Sequence, residues 1–267
     1  MNEPNPYMPP QASVAERFDA STDAWALVGP QRVPAGRGWA WIKEGFSLFG
    51  RSPGIWIANF VVFFLIVTVL SFVPLVSIAV NILIPIFLGG LMLGCRSLDE
   101  GGELELSHLF AGFESNGGKL AGVGGMYLAG SVLITLVVFA IIFATVLLPA
   151  MAHPDSAGQM PPFLEASGAM VAVLVGLLLF FPLMMAYWFA PLLVVLHDVD
   201  VFKALGLSFK ASLRNIWPLT VYGLVMLVLM VVATLPVFLG WLVMVPVIWT
   251  SMYASYKDIF LANAHAI

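Results

Sequence analysis

Residues 43–56 read KEGFSLFGRSPGIW, and residues 204–217 read ALGLSFKASLRNIW. At a constant offset of 161 residues Gly45 matches Gly206, Ser47 matches Ser208, and Ile55-Trp56 matches Ile216-Trp217. Each copy ends where a long apolar run begins. Ahead of the first run, Trp39, Ile42, Phe46 and Phe49 share one helical face, with Lys43, Ser47 and Arg51 on another. Ahead of the later run, Phe202, Leu205, Phe209 and Leu213 repeat the stripe, and Lys203, Lys210 and Arg214 face away. Such helices are too charged to cross a bilayer and too apolar to leave it. They are expected in the interface, basic side chains toward lipid phosphates. Trp39, Trp56 and Trp217 are the expected aromatic anchors of that belt. A weaker third copy, LSHLFAGFESNGGKL at residues 106–120, places Leu106, Leu109, Phe110 and Phe113 at helical spacing behind Ser107, a candidate N-cap.

The apolar runs decide the class. The chain has 267 residues, 61% apolar and 10% charged, where a soluble domain carries roughly 25% charged residues. Residues 52–95, 120–154, 166–197 and 215–256 contain no Asp, Glu, Lys or Arg. A spanning helix needs about 20 apolar residues. The first and last runs therefore hold two spans each, turning at Pro74 and Pro236, and the middle two hold one each. The expected fold is an all-α integral membrane protein with six transmembrane helices. They form three hairpins, each preceded by an amphipathic interfacial helix. The spans are about 55–73, 76–95, 120–148, 168–196, 215–235 and 238–256, within a domain of residues 36–260. Residues 1–35, rich in proline and polar residues, are expected to be a disordered tail, and residues 261–267 a short second tail. The loop at 149–168 is the one sizeable segment on the far side.

All eleven Lys and Arg residues fall outside the three loops on that far side. Cationic residues are retained in the cytoplasm during insertion, so both termini are expected there, in a bacterial inner membrane. The net charge of −4 gives no basic patch for nucleic acid.

The second span of each hairpin carries a proline, Pro85, Pro182 and Pro246, which leaves a carbonyl four residues back without its helical donor. These positions are candidate helix breaks lining a cavity, or kinks that improve packing. Asn59 and Asn81 stand on adjacent spans where they could bond each other. No charged side chain lies within a span, which argues against proton relays and ion-coupled pumps. No catalytic, metal-binding or cofactor-binding pattern stands out, so neither an enzyme nor a cofactor is expected. Gly90/Gly94 and Ala121/Gly125 offer small-residue surfaces for a homo-oligomer, with contact inside one chain the default.

The motifs GRGWAWIKEGFSLF, LFAGF before a glycine-rich span, and ALGLSFKASLRNIWPL together resemble a BPSS-type family of uncharacterised six-span inner-membrane proteins of proteobacteria. That family is distantly similar to YciC-like proteins and to the membrane domain attached to some glycerophosphodiester phosphodiesterases. The resemblance covers about residues 33–260 and implies the location and the hairpin organisation. It transfers no catalytic residue. The expected partners are the lipid bilayer and another membrane protein. The leading functional expectation is a non-enzymatic membrane scaffold or envelope-homeostasis factor. The alternative is a carrier or channel for a neutral or amphipathic small molecule.

Overall fold

A computed structural model of the chain describes residues 25–148, 151 and 162–262. The far-side loop expected at 149–168 lies largely outside these residues, as do the first 24 residues and the last five. The described elements are helical: α1 (Arg37–Arg51), α2 (Pro53–Ser71), α3 (Pro74–Asp99), α4 (His108–Ser115) and α5 (Gly117–Ile142), which runs on into a π-helical turn at Phe143–Leu147. Then follow α6 (Pro162–Trp188), α7 (Ala190–His197), α8 (Val201–Arg214), α9 (Ile216–Thr234) and α10 (Trp241–Phe260). Pro53 and Pro74 stand at helix starts, where a missing N–H costs nothing. Pro85, Pro182 and Pro246 lie inside α3, α6 and α10, and the helices continue through them.

A break lies instead at Phe189, between α6 and α7. Ser208 of α8 inserts its hydroxyl there, accepting from the Phe189 N–H at 2.9 Å and donating to the Met185 carbonyl at 2.7 Å. Ser212 donates to the same carbonyl at 3.2 Å. A hydroxyl has replaced one helical rung, a recognised cause of a sharp bend.

Among the described residues, five helices are long and apolar enough to cross a membrane: Pro53–Ser71, Ile78–Asp99, Gly117–Leu147, Ser167–His197 and Ile216–Thr234. The sixth expected span, 238–256, is not among them. Residues 235–240 form a turn in which Val237 and Phe238 adopt positive φ, and α10 begins only at Trp241. α10 runs on through Lys257 and Asp258 and buries most of its length, Thr250, Ser251 and Ser255 included. Its polarity is tolerable because protein, not lipid, surrounds it.

The three amphipathic helices are laid out cyclically. α1 packs on α10, α4 on α3, and α8 on α6. Each therefore lies on the second long helix of the preceding unit, and α1 closes the ring onto the last. These contacts are made by small residues. A Cβ added at Gly112 of α4 would strike the Ile86 carbonyl, and one at Gly90 of α3 the His108 carbonyl. Gly45 of α1 meets Ser251 of α10 in the same way, and Thr250 Oγ1 donates to the Gly45 carbonyl at 2.9 Å.

The buried faces correct the expected stripes. α1 buries Gly38, Trp41, Ile42, Gly45 and Leu48, while Trp39 and Phe46 are exposed. α8 buries Ala204, Ser208, Ala211 and Ser212, and leaves Phe202 and Leu213 outside. In α4, Leu109 and Gly112 face in, whereas Leu106, Phe110 and Phe113 face out. Several large apolar residues thus point away from the protein, toward the phase lipid would occupy, and small residues make the closest backbone contacts beside the buried Trp41, Ile42, Leu48 and Leu109. This is the logic of helix association where lipid tails are as apolar as leucine.

Two glycine substitutions separate the sequence repeat from the packing. Gly112→Ala is expected to destabilise the detergent-solubilised protein by about 1–3 kcal/mol through overpacking against Ile86. Gly206→Ala, whose added carbon meets nothing within 4 Å, is expected to leave stability unchanged or raise it by up to about 1 kcal/mol through helix propensity. Thermal unfolding followed by circular dichroism checks both.

Candidate functional site

The ends of α3, α7 and α10 nearest the amphipathic helices gather polar side chains that the sequence scatters widely. Asp258, nearly buried, accepts from the Arg37 guanidinium and from Trp41 Nε1 at 2.6 Å. Arg37 also pairs with Glu44 at 2.8 Å. Burial works against the charge of Arg37, but Asp258 and Glu44 outweigh it and hold the guanidinium above its ordinary value. Lys257 pairs with Asp99 at 2.6 Å, both side chains largely buried. His197 and the Tyr256 hydroxyl are in hydrogen-bond contact, and Cys95 is buried in the core beneath them.

This end is also sealed by a strap that the sequence assigned to a disordered tail. Residues 25–34 run extended over the end of α10, with the Val28 N–H bonded to the Phe260 carbonyl at 2.8 Å and the Gln31 N–H to the Ile259 carbonyl at 2.9 Å. Asn215 holds the strap from the other side. Its Oδ1 accepts from the Val33 N–H at 2.9 Å and its Nδ2 donates to the Gln31 carbonyl at 2.8 Å. Arg96 stands 4.7 Å from the Trp25 ring centroid. No apolar periodicity announced these contacts, because most are backbone hydrogen bonds, to the end of α10 and to one buried asparagine.

The predicted site residues separate into groups. Lys43, Arg51, Lys203, Lys210 and Arg214 are exposed. Arg51 nevertheless donates to the Leu98 carbonyl at 2.8 Å, and Arg214 to the Pro30 carbonyl at 3.2 Å, so both serve the protein as well as the belt. Trp39 and Trp217 are exposed as anchors should be, Trp217 to 68%. Trp56, expected to be a third anchor, is 0% exposed and sits in the core. Asn59 bonds the Ile55 and Glu105 carbonyls, not Asn81. Ser107 occupies the position before α4 but directs its hydroxyl to Glu105, and Asp200, at the start of α8, pairs with Lys119 at 3.4 Å. Gly90 and Gly94 are covered by α4 and its approach segment, which corrects their candidacy for a homo-oligomer. Gly125 has nothing within 4 Å.

Two concavities are lined by described residues. At the polar end an open cleft of about 710 Å³ lies between Arg51, Ser52 and Ile55 on one wall and Leu98, Glu103 and Glu105 on the other. Between the long helices lies an apolar cavity of about 160 Å³. Pro85, Pro182 and Pro246 all belong to helices that line it, through Leu88 of α3, Met184 of α6 and Ile248 of α10. It is not the polar cavity that broken helices would line.

No known family model matches the chain, and no solved structure matches it. One curated relative does: "Probable inner membrane protein BTH_II0599" of Burkholderia thailandensis, 31% identical over 250 residues, covering 85% of this chain and 92% of the relative. The chain is an all-helical membrane protein, and it belongs to the family of that inner-membrane protein.

Asp258→Ala removes the acceptor of two donors and leaves Arg37 charged without its buried partner. A loss of about 3 kcal/mol or more is expected in thermal or denaturant unfolding in detergent. Asn215→Ala is expected to release the strap, seen as faster proteolytic cutting within residues 28–34 while the helical circular dichroism signal persists.

Proposed function

We propose that the protein is a six-span inner-membrane scaffold, non-enzymatic, with both termini in the cytoplasm. It would hold a basic or apolar segment of another membrane protein in the cleft at its polar end. The cleft carries this reading, because it is roomy, faces the cytoplasmic side in this topology, and pairs an apolar floor at Ile55 and Leu98 with Glu103 and Glu105. Internal ion pairs and the strap make that end a stiff platform. The ends of α3 and α10 and the start of α5 place Arg96, Lys257 and Lys119 beside the belt helices α1 and α8, so the described cations gather at one end. α10 is the sixth span, screened from lipid by its neighbours. The resemblance of its motifs to those of BPSS-type inner-membrane proteins supports this organisation.

Charge reversal at Glu103 and Glu105 together is expected to remove proteins that co-purify in mild detergent, while the helical signal and the unfolding midpoint stay in place. Unchanged co-purification would overturn the docking cleft. A reporter fused after Ile267 should be active only in the cytoplasm.

The apolar cavity supports a second reading, a carrier for a neutral or amphipathic molecule. In a Cys95→Ala background, Leu88→Cys and Met184→Cys should react with a water-soluble thiol reagent if the cavity opens to water. Under the scaffold reading both stay protected.

A further inference from the structure

The three amphipathic helices differ in charge once their internal partners are set aside. On α1, Arg37 is held by Asp258 and Glu44, and Arg51 donates to the Leu98 carbonyl in the cleft it shares with Glu103 and Glu105. That leaves Lys43, next in sequence to Glu44. Around α4, residues 97–118 contain no Lys or Arg. α8 is the opposite case, with Lys203, Lys210 and Arg214 and no carboxylate from Val201 to Arg214. The two acids just before it, Asp198 and Asp200, pair with Lys119. At i, i+7 and i+11 the three cations of α8 fall within about 40° of one another and span about 16 Å of helix. All three are exposed, and none pairs with a carboxylate among the described residues. Ala204, Ser208 and Ala211 bury a second face against the protein, and Phe202 and Leu213 expose a third. The strap adds a fourth charge. Asn215 fixes Gln31 and Val33 on either side of Arg32, and Arg214 donates to the Pro30 carbonyl. That acceptor is neutral, so Arg214 keeps its charge and further N–H donors. Arg32, exposed and likewise without an acidic partner, is thus held beside the end of α8.

We propose that the cationic stripe of α8, together with Arg32 of the strap, binds the headgroup of a bilayer phospholipid that carries two phosphates. Lys210 and Arg214, one helical turn apart, repel each other until an anion lies between them. The chain supplies no carboxylate to this face, and lipid phosphate does the same work. Each Lys or Arg near an anionic membrane surface is worth about fivefold in affinity. A headgroup with two phosphates meets a stripe of this length as one ligand, its second phosphate binding at the high local concentration that the first creates. An acidic protein segment suits the stripe less well, because Phe202, Leu213 and Trp217 expose apolar surface beside it and set it at the depth of lipid headgroups. The site lies apart from the cleft at Glu103 and Glu105, so it stands whether or not a protein docks there.

The test is native mass spectrometry of the full-length protein in mild detergent, titrated separately with diphosphatidylglycerol, phosphatidylglycerol and phosphatidylcholine. Diphosphatidylglycerol should bind at least about fivefold more tightly than phosphatidylglycerol, and phosphatidylcholine most weakly. Lys203 and Lys210 bond nothing else among the described residues. Lys203→Gln with Lys210→Gln should therefore keep the thermal midpoint and the weak phosphatidylcholine binding, and lower diphosphatidylglycerol affinity by about 25-fold, two factors of five. Arg32→Gln should cost about fivefold, and Asn215→Ala, which frees the strap, a similar factor. Lys43→Gln makes the same change of net charge on α1 and should alter the affinity by less than about twofold, since Glu44 stands beside it. Equal affinity for the lipids with one and two phosphates, no loss when Lys203 and Lys210 are neutralised, or as large a loss per charge with Lys43→Gln would overturn the proposal.

Discussion

The structure depends on close approach of helix backbones in a medium that offers no apolar reward for contact. Lipid tails solvate leucine as well as another leucine does, so association falls to packing and hydrogen bonds. Gly112 against the Ile86 carbonyl, Gly90 against the His108 carbonyl and Gly45 against Ser251 are where this is met. Two of the amphipathic helices use such contacts to lie on the second long helix of the preceding unit, and α8 does so through Ser208 and Ser212 at the Met185 carbonyl. That rule, applied three times, closes a ring and brings α3, α6 and α10 around a common space.

Closing the ring creates two environments. At one end the charged termini of α3 and α10 converge, and their groups are acceptable only because they are paired: Asp258 with Arg37 and Trp41, Lys257 with Asp99. Breaking such a pair costs more than making it contributes, because the survivor keeps its desolvation penalty. The extended strap satisfies the last backbone acceptors of α10 and covers this end. Along the long helices the opposite holds. Side chains such as Phe64, Leu133, Leu178 and Leu227 point outward, and the interior void is lined almost wholly by carbon.

Much of this was legible in the chain. Charge-free runs marked the long helices, and Pro74 marked the turn between the first two, because lipid forbids uncompensated backbone and charge alike. The repeat at Gly45 and Gly206 correctly announced two amphipathic helices. It did not announce which face each would bury. Gly45 meets Ser251, whereas Gly206 meets nothing, and Ser47 is exposed whereas Ser208 wedges into the α6–α7 break. Hydrophobic periodicity reports that a stripe exists, but in a membrane the bulky stripe can face lipid as readily as protein. Trp56 misled for the same reason: an aromatic ring at the start of a span reads as an anchor whether it turns outward or into the core.

By itself, the amino-acid sequence determined where the long apolar segments lie and that no charged residue interrupts them. These are sums over local transfer free energies and need no partner. Only the tertiary structure decided that α10 is a protein-wrapped helix, that residues 25–34 belong to the folded unit, and that Trp56 lies in the core. Each of these depends on groups far apart in the chain meeting within a few ångströms, and no local pattern encodes such a meeting.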